Sequence, residues 1–118
     1  MILYGIKNCD TVKKARKWLE ANGVDYTFHD FRADGIDAAT IQGWLDTVGA
    51  DKLINKRGTT WRKLDEAEQA RADSDPAALL ADHEAIIKRP MIVDDGYCDC
   101  GFGKAEQAAL AAHLGVDA

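Results

Sequence analysis

Thiols are strong nucleophiles when ionised, and this chain of 118 residues carries three of them, Cys9, Cys98 and Cys100. Cys9 stands within Tyr4-Gly5-Ile6-Lys7-Asn8-Cys9-Asp10-Thr11, where its neighbours are polar and basic. The apolar run Ile2-Leu3-Tyr4 reads as a strand, and residues 5–8 as the turn after it. A helical pattern begins at Asp10 or Thr11. Cys9 is therefore expected where a strand hands over to a helix. Unsatisfied backbone N–H groups and the helix dipole hold a thiol there as the thiolate. Lys7, Lys13, Lys14, Arg16 and Lys17 add positive charge around it, opposed by Asp10. A buried structural thiol is the alternative, and it suits an apolar neighbourhood better than this one.

Arg57 and Arg89 are the candidates for holding an anion beside such a nucleophile. A guanidinium fork matches the geometry of a carboxylate or oxyanion better than a lysine does. Lys7 and Asn8 offer further donors at the turn, while structural ion pairs are the plainer role for both arginines. Cys98 and Cys100, two residues apart in a strand-like run, place their side chains on one face. That spacing is at or beyond the reach of a mutual disulfide. They are read either as ordinary strand cysteines or as thiols that resolve an adduct on Cys9. His29, His83 and His113 are scattered and there are no paired Cys-x-x-Cys motifs, so no metal site is expected.

The elements that must position these groups follow from periodicity. Val12, Ala15 and Leu19 mark a first helix ending at Asn22-Gly23. Residues 24–28 alternate as a half-buried strand, with Val24, Tyr26 and Phe28 on one face. After the Asp34-Gly35 turn, Ile41, Trp44, Leu45 and Val48 mark a second helix, and Leu53-Ile54 reads as a short buried helical piece. Residues 55–64 are polar and basic but contain Trp61, read as packing the segment. Residues 65–73 are helical and exposed, and Asp75-Pro76 reads as the cap and first residue of a helix through His83. Met91-Ile92-Val93, the turn Asp94-Asp95-Gly96 and residues 97–100 form a hairpin. An Ala-rich helix then runs to Leu114 and stops at Gly115. The order β-α-β, helical insertion, β-β-α predicts an α/β fold: a small sheet with helices on its faces.

Composition sets limits on partners. The net charge of −5 argues against nucleic acid held through a basic surface. No apolar run approaches the roughly 20 residues that span a bilayer, and the N-terminus leads straight into a strand, so neither membrane nor signal peptide is expected. An odd number of cysteines without a disulfide framework fits the cytoplasm.

With a cysteine at the first strand–helix turn and Arg89-Pro90 before a hairpin, the chain resembles the ArsC/Spx family of thioredoxin-fold proteins, within its YffB-like branch. The matching blocks are residues 3–11, Arg57-Gly58-Thr59-Thr60-Trp61-Arg62-Lys63-Leu64, and Ile86-Ile87-Lys88-Arg89-Pro90. The resemblance implies a thioredoxin-like fold with a small mixed sheet. It implies a single domain over residues 1–118, interrupted by a helical insertion over about residues 35–84. It also implies that Cys9 is the nucleophile, Arg89 the arginine before a cis-proline at Pro90, and Arg57 near the position of the insertion's arginine. The third arginine of the arsenate reductases would fall near Cys98, where this chain has none, which weighs against arsenate. The Cys-x-x-Cys switch of Spx-type regulators is absent, because the matching stretch is Cys9-Asp10-Thr11-Val12.

The branch implies a thiol reductase with glutathione as co-substrate; no bound cofactor, a small anionic thiol, disulfide or oxyanion as partner, and a monomer are expected with it. Two other readings stay open. One is an arsenate reductase; the other is a regulator that binds the RNA polymerase α subunit and has no enzymatic activity.

Overall fold

The computed structural model describes residues 1–118, with four strands and seven α-helices. Strand β1 (Ile2–Gly5) leads through an exposed turn at Lys7 and Asn8 into helix α1 (Asp10–Ala21). Helix α1 buries Val12, Ala15 and Leu19, the stripe that its spacing predicts. Strand β2 (Thr27–Asp30) begins three residues later than the alternation suggests. The Val24 N–H donates to the Leu19 carbonyl at 3.0 Å and so belongs to the end of α1. The ladder starts only where the Thr27 N–H donates to the Met1 carbonyl at 2.9 Å. Val24, Tyr26 and Phe28 nonetheless pack on the same apolar cluster, as the alternation requires.

Residues Ile36–Lys88 form one compact unit and Met1–Gly35 with Arg89–Ala118 the other. The inserted unit is helical: α2 (Ala38–Val48), α3 (Ala50–Leu53), α4 (Thr59–Lys63), α5 (Glu66–Ser74), α6 (Pro76–Asp82) and a 3₁₀ turn, Glu84–Ile86. Asp37 caps α2, accepting the Thr40 N–H at 2.7 Å, and that bond lowers its carboxyl pKa. Pro76 occupies the first turn of α6, but the Asp75 side chain makes no capping bond there. Arg71 joins α5 to α6 by reaching Glu68 at 2.9 Å and Asp82 at 2.8 Å. Ile54 is not helical. It pairs with Ile87 in an antiparallel bridge, fastened by Asn55 N–H to Ile86 carbonyl at 2.7 Å and Lys88 N–H to Leu53 carbonyl at 2.8 Å.

Strands β3 (Met91–Asp94) and β4 (Tyr97–Cys100) make the expected hairpin, and Gly96 takes a φ of 79° at its turn. Helix α7 (Lys104–Leu114) follows and ends at Gly115, whose φ of 71° is left-handed. The sheet order is β2-β1-β3-β4, with β1 parallel to β2 and antiparallel to β3. The register sorts the sheet's side chains. Leu3, Ile92 and Asp99 share one face, where Leu3 and Ile92 join Val12, Ala15, Leu19, Phe102 and Leu110 in the core cluster. Tyr4, Met91 and Cys100 share the other, as do Val93 and Cys98. No helix is long and apolar enough to cross a membrane.

Candidate functional site

Cys9 is the residue at which β1's turn becomes α1. Its backbone is extended (φ −131°, ψ 122°), and its carbonyl accepts the Lys13 N–H at 2.9 Å, so it occupies the N-cap position. Serine or aspartate at an N-cap would use its side chain to bond a first-turn N–H. Cys9 makes no such bond, so no capping side chain consumes those donors. The thiol-bearing residue is half-buried against the cluster on the Leu3–Ile92 face, while Lys7, Asn8, Asp10 and Thr11 are exposed. One flank is apolar and the other is polar and exposed.

Pro90 reaches the same end of the sheet by register. The β1–β3 ladder ends at Tyr4 opposite Met91, so Pro90 lies one step on, level with the start of the turn that leads to Cys9. The Arg89–Pro90 peptide is cis. Pro90 is buried, and its carbonyl accepts the Gly101 N–H at 2.8 Å; Arg89, just before it, is half-buried. The fold thus gathers Lys7, Asn8, Cys9 and Pro90, with Arg89 preceding it, at the carboxyl end of β1. Lys14 adds charge in a defined place, with its Nζ 5.9 Å from the Phe102 ring centre. Phe102 also meets Trp18 edge-on at 5.7 Å. Sequence reasoning passed over Phe102, whose one signal is its position between Gly101 and Gly103.

Cys98 and Cys100 are placed differently. Cys100 is fully buried, Cys98 half-buried, and neither is in a disulfide. They oppose Val93 and Met91, so they project from the sheet face opposite the one on which Cys9 packs. Each histidine has a local partner. His29 donates from Nε2 to the Gly35 carbonyl at 2.6 Å, His83 lies 3.0 Å from Glu68, and His113 lies 2.9 Å from Asp94.

Arg57 lies in the inserted unit and is exposed. Its N–H donates to Asn55 Oδ1 at 3.2 Å, and its carbonyl accepts from Arg62 Nη2 at 2.7 Å. It lines an open cleft of about 350 Å³ with Asp51, Lys52, Asn55, Lys56 and Lys88. In the sequence Lys56 and Lys88 are simply the neighbours of Arg57 and Arg89. The backbone bridge at Ile54 and Ile87 brings them to one cleft.

The model of the ArsC family matches residues 4–110. An uncharacterized protein of Haemophilus influenzae is 47% identical over 92% of this chain and 97% of its own. The global transcriptional regulator Spx 1 of Bacillus cereus is 26% identical over 88% of this chain and 81% of its own. Among solved structures, a YFFB protein is 44% identical with a TM-score of 0.84, covering 92% of this chain and 96% of that one. A Brucella melitensis protein described as related to arsenate reductase is 46% identical with a TM-score of 0.72, covering 92% and 91%. Likeness to these structures makes the fold thioredoxin-like.

Proposed function

The chain belongs to the ArsC family, and on that premise we propose that it is a thiol reductase whose single nucleophile is Cys9 and whose reductant is glutathione. The observation that carries this reading is the place of Cys9 at an N-cap with no side-chain capping bond, half-buried beside the turn that holds Lys7 and Asn8.

The cycle has two displacements. The Cys9 thiolate attacks the glutathione sulfur of a mixed disulfide, the S–S bond breaks, and the other sulfur leaves with the electron pair and takes a proton. Cys9 is now joined to glutathione. A second glutathione thiolate attacks the glutathione sulfur of that adduct, glutathione disulfide leaves, and the Cys9 thiolate returns. Over both steps, the mixed disulfide and one free glutathione become a free thiol and glutathione disulfide, whose other half comes from the substrate. First-turn N–H groups with Lys7 and Asn8 stabilise the anionic sulfur, and Arg89 binds the partner's carboxylate. Pro90 shapes the site beside the turn. Cys98 and Cys100 lie on the other sheet face, which supports release by an external thiol rather than by either of them. Such a cycle uses no bound cofactor and fits a cytoplasmic monomer, where glutathione is abundant and reduced.

Trapping the intermediate tests the reading. Intact-mass analysis after mixing with one equivalent of glutathione disulfide should find one glutathione on Cys9 and none on the Cys9→Ser protein. Attachment at Cys98 or Cys100 alone would refute it. Arsenate reduction is the second reading, favoured by the Brucella melitensis relative's description. Against it, β4 (Tyr-Cys-Asp-Cys) carries no arginine. The regulator reading follows from the likeness to Spx 1. Val12 stands where the second cysteine of a dithiol switch would be.

A further inference from the structure

The insertion gathers positive charge at one place. Lys52, Lys56, Arg57 and Lys88 line the cleft of about 350 Å³, and Asp51 is its one carboxylate. Lys56, Arg57 and Lys88 are exposed and stand in no ion pair. In a chain of net charge −5 such a concentration is not a by-product of composition. Like charges held together oppose folding unless something of the other sign comes between them. Here the backbone holds them: Asn55 N–H to Ile86 carbonyl at 2.7 Å and Lys88 N–H to Leu53 carbonyl at 2.8 Å fasten the two segments. Lys56 is steadied further, with its Nζ 5.4 Å from the Trp61 ring centre.

Asp51 aside, the side chains lining the cleft offer mostly hydrogen-bond donors. Arg57 N–H occupies Asn55 Oδ1 at 3.2 Å, leaving the Asn55 amide nitrogen with its two donors. Gly58 flanks that nitrogen, and a Cβ there would stand 3.2 Å from it. Ammonium groups, a guanidinium and an amide NH₂ supply donors only. A ligand that satisfies them is all acceptor and carries more than one negative charge. A planar carboxylate is satisfied by a single arginine fork, whereas several separate ammonium groups suit the oxygens of a tetrahedral oxyanion.

We propose that this cleft binds a phosphate-class dianion, either free or as the terminal phosphoryl group of a larger ligand. The site lies wholly within Ile36–Lys88 and goes beyond the thiol chemistry, so it is tested without turnover. The Cys9→Ser protein is titrated with inorganic phosphate, phenyl phosphate and succinate at constant ionic strength, following backbone amide resonances. Saturable shifts at Asn55, Lys56, Arg57 and Lys88 are expected with the phosphates. Tighter binding of phenyl phosphate identifies a phosphoryl group on a larger ligand; tighter binding of inorganic phosphate identifies the free ion. Lys56→Gln with Lys88→Gln should weaken phosphate by about tenfold or more, while Lys17→Gln leaves it unchanged. Shifts that do not saturate, that succinate reproduces at equal concentration, or that survive the double substitution would overturn the assignment. Failure here leaves the Cys9 chemistry standing.

Discussion

A Cβ on Gly5 would stand 2.7 Å from one Val12 methyl carbon and 3.2 Å from the other. The last residue of β1 therefore lies against the first buried turn of α1, which fixes the span that Cys9 closes. Val12 is fully buried and has no room to swing aside. Gly5→Ala should cost about 1–3 kcal/mol, read as a lower urea midpoint with an unchanged m-value. In a Val12→Ala background the same change should cost less, by a coupling of about 0.5 kcal/mol or more. Equal costs in both backgrounds would place the strain elsewhere.

Arg89 is half-buried at the step before Pro90. Hydrogen bonds to a charged partner contribute about 1.5–3 kcal/mol. Arg89→Ala is expected to raise KM for a glutathionylated substrate about tenfold or more, with a smaller change in kcat and an unchanged urea midpoint. Wild-type kinetics would remove Arg89 from the site.

The three thiols should differ in accessibility. Cys9 is half-buried at a helix start, whereas Cys100 is fully buried in β4. Under native conditions iodoacetamide should modify Cys9 before Cys100, which reacts only after unfolding. Peroxide followed by glutathione should give a Cys9–glutathione adduct. Peptide mapping that found Cys9 joined instead to Cys98 or Cys100 would contradict the separation of the two sheet faces.

Asp94 ties the end of β3 to α7 and to the start of β1. Its carboxylate lies 2.9 Å from His113 Nε2 and 3.3 Å from the Met1 amine. The His113 hydrogen bond is the largest influence lowering its pKa; the Asp95 N–H and the Met1 amine act in the same direction. A group whose pKa is lower folded than unfolded adds stability above its unfolded value, about 3.9 for aspartate. That stability is lost as pH falls through the folded value. Asp94→Asn should therefore lower the urea midpoint at neutral pH, and the deficit should close in acid. A deficit independent of pH would mean that the contribution is steric.

Legibility in the sequence followed the range of the interactions. β1, α1, α2 and the β3–β4 hairpin carry their burial pattern within a few residues, so periodicity finds them. Helix α4 buries no residue, so it has no apolar stripe to be found. Ile54 pairs with Ile87, a partner no local window contains. β2 starts late because α1's C-terminal carbonyl takes the Val24 amide, and alternation cannot register that competition. The same division applies to the site. Cys9 at the strand–helix turn is a local feature and was readable. The meeting of Lys56 with Lys88 depends on the Ile54–Ile87 bridge and was not.

The central claim is that Cys9 is the one nucleophile of a glutathione-coupled reductase. Its most direct test is steady-state turnover of a glutathionylated peptide, coupled to glutathione reductase, by the wild type, Cys9→Ser, and the double variant Cys98→Ser/Cys100→Ser. The account predicts turnover by the wild type and the double variant, and only the uncatalysed rate with Cys9→Ser. Equal rates for the wild type and Cys9→Ser would contradict it.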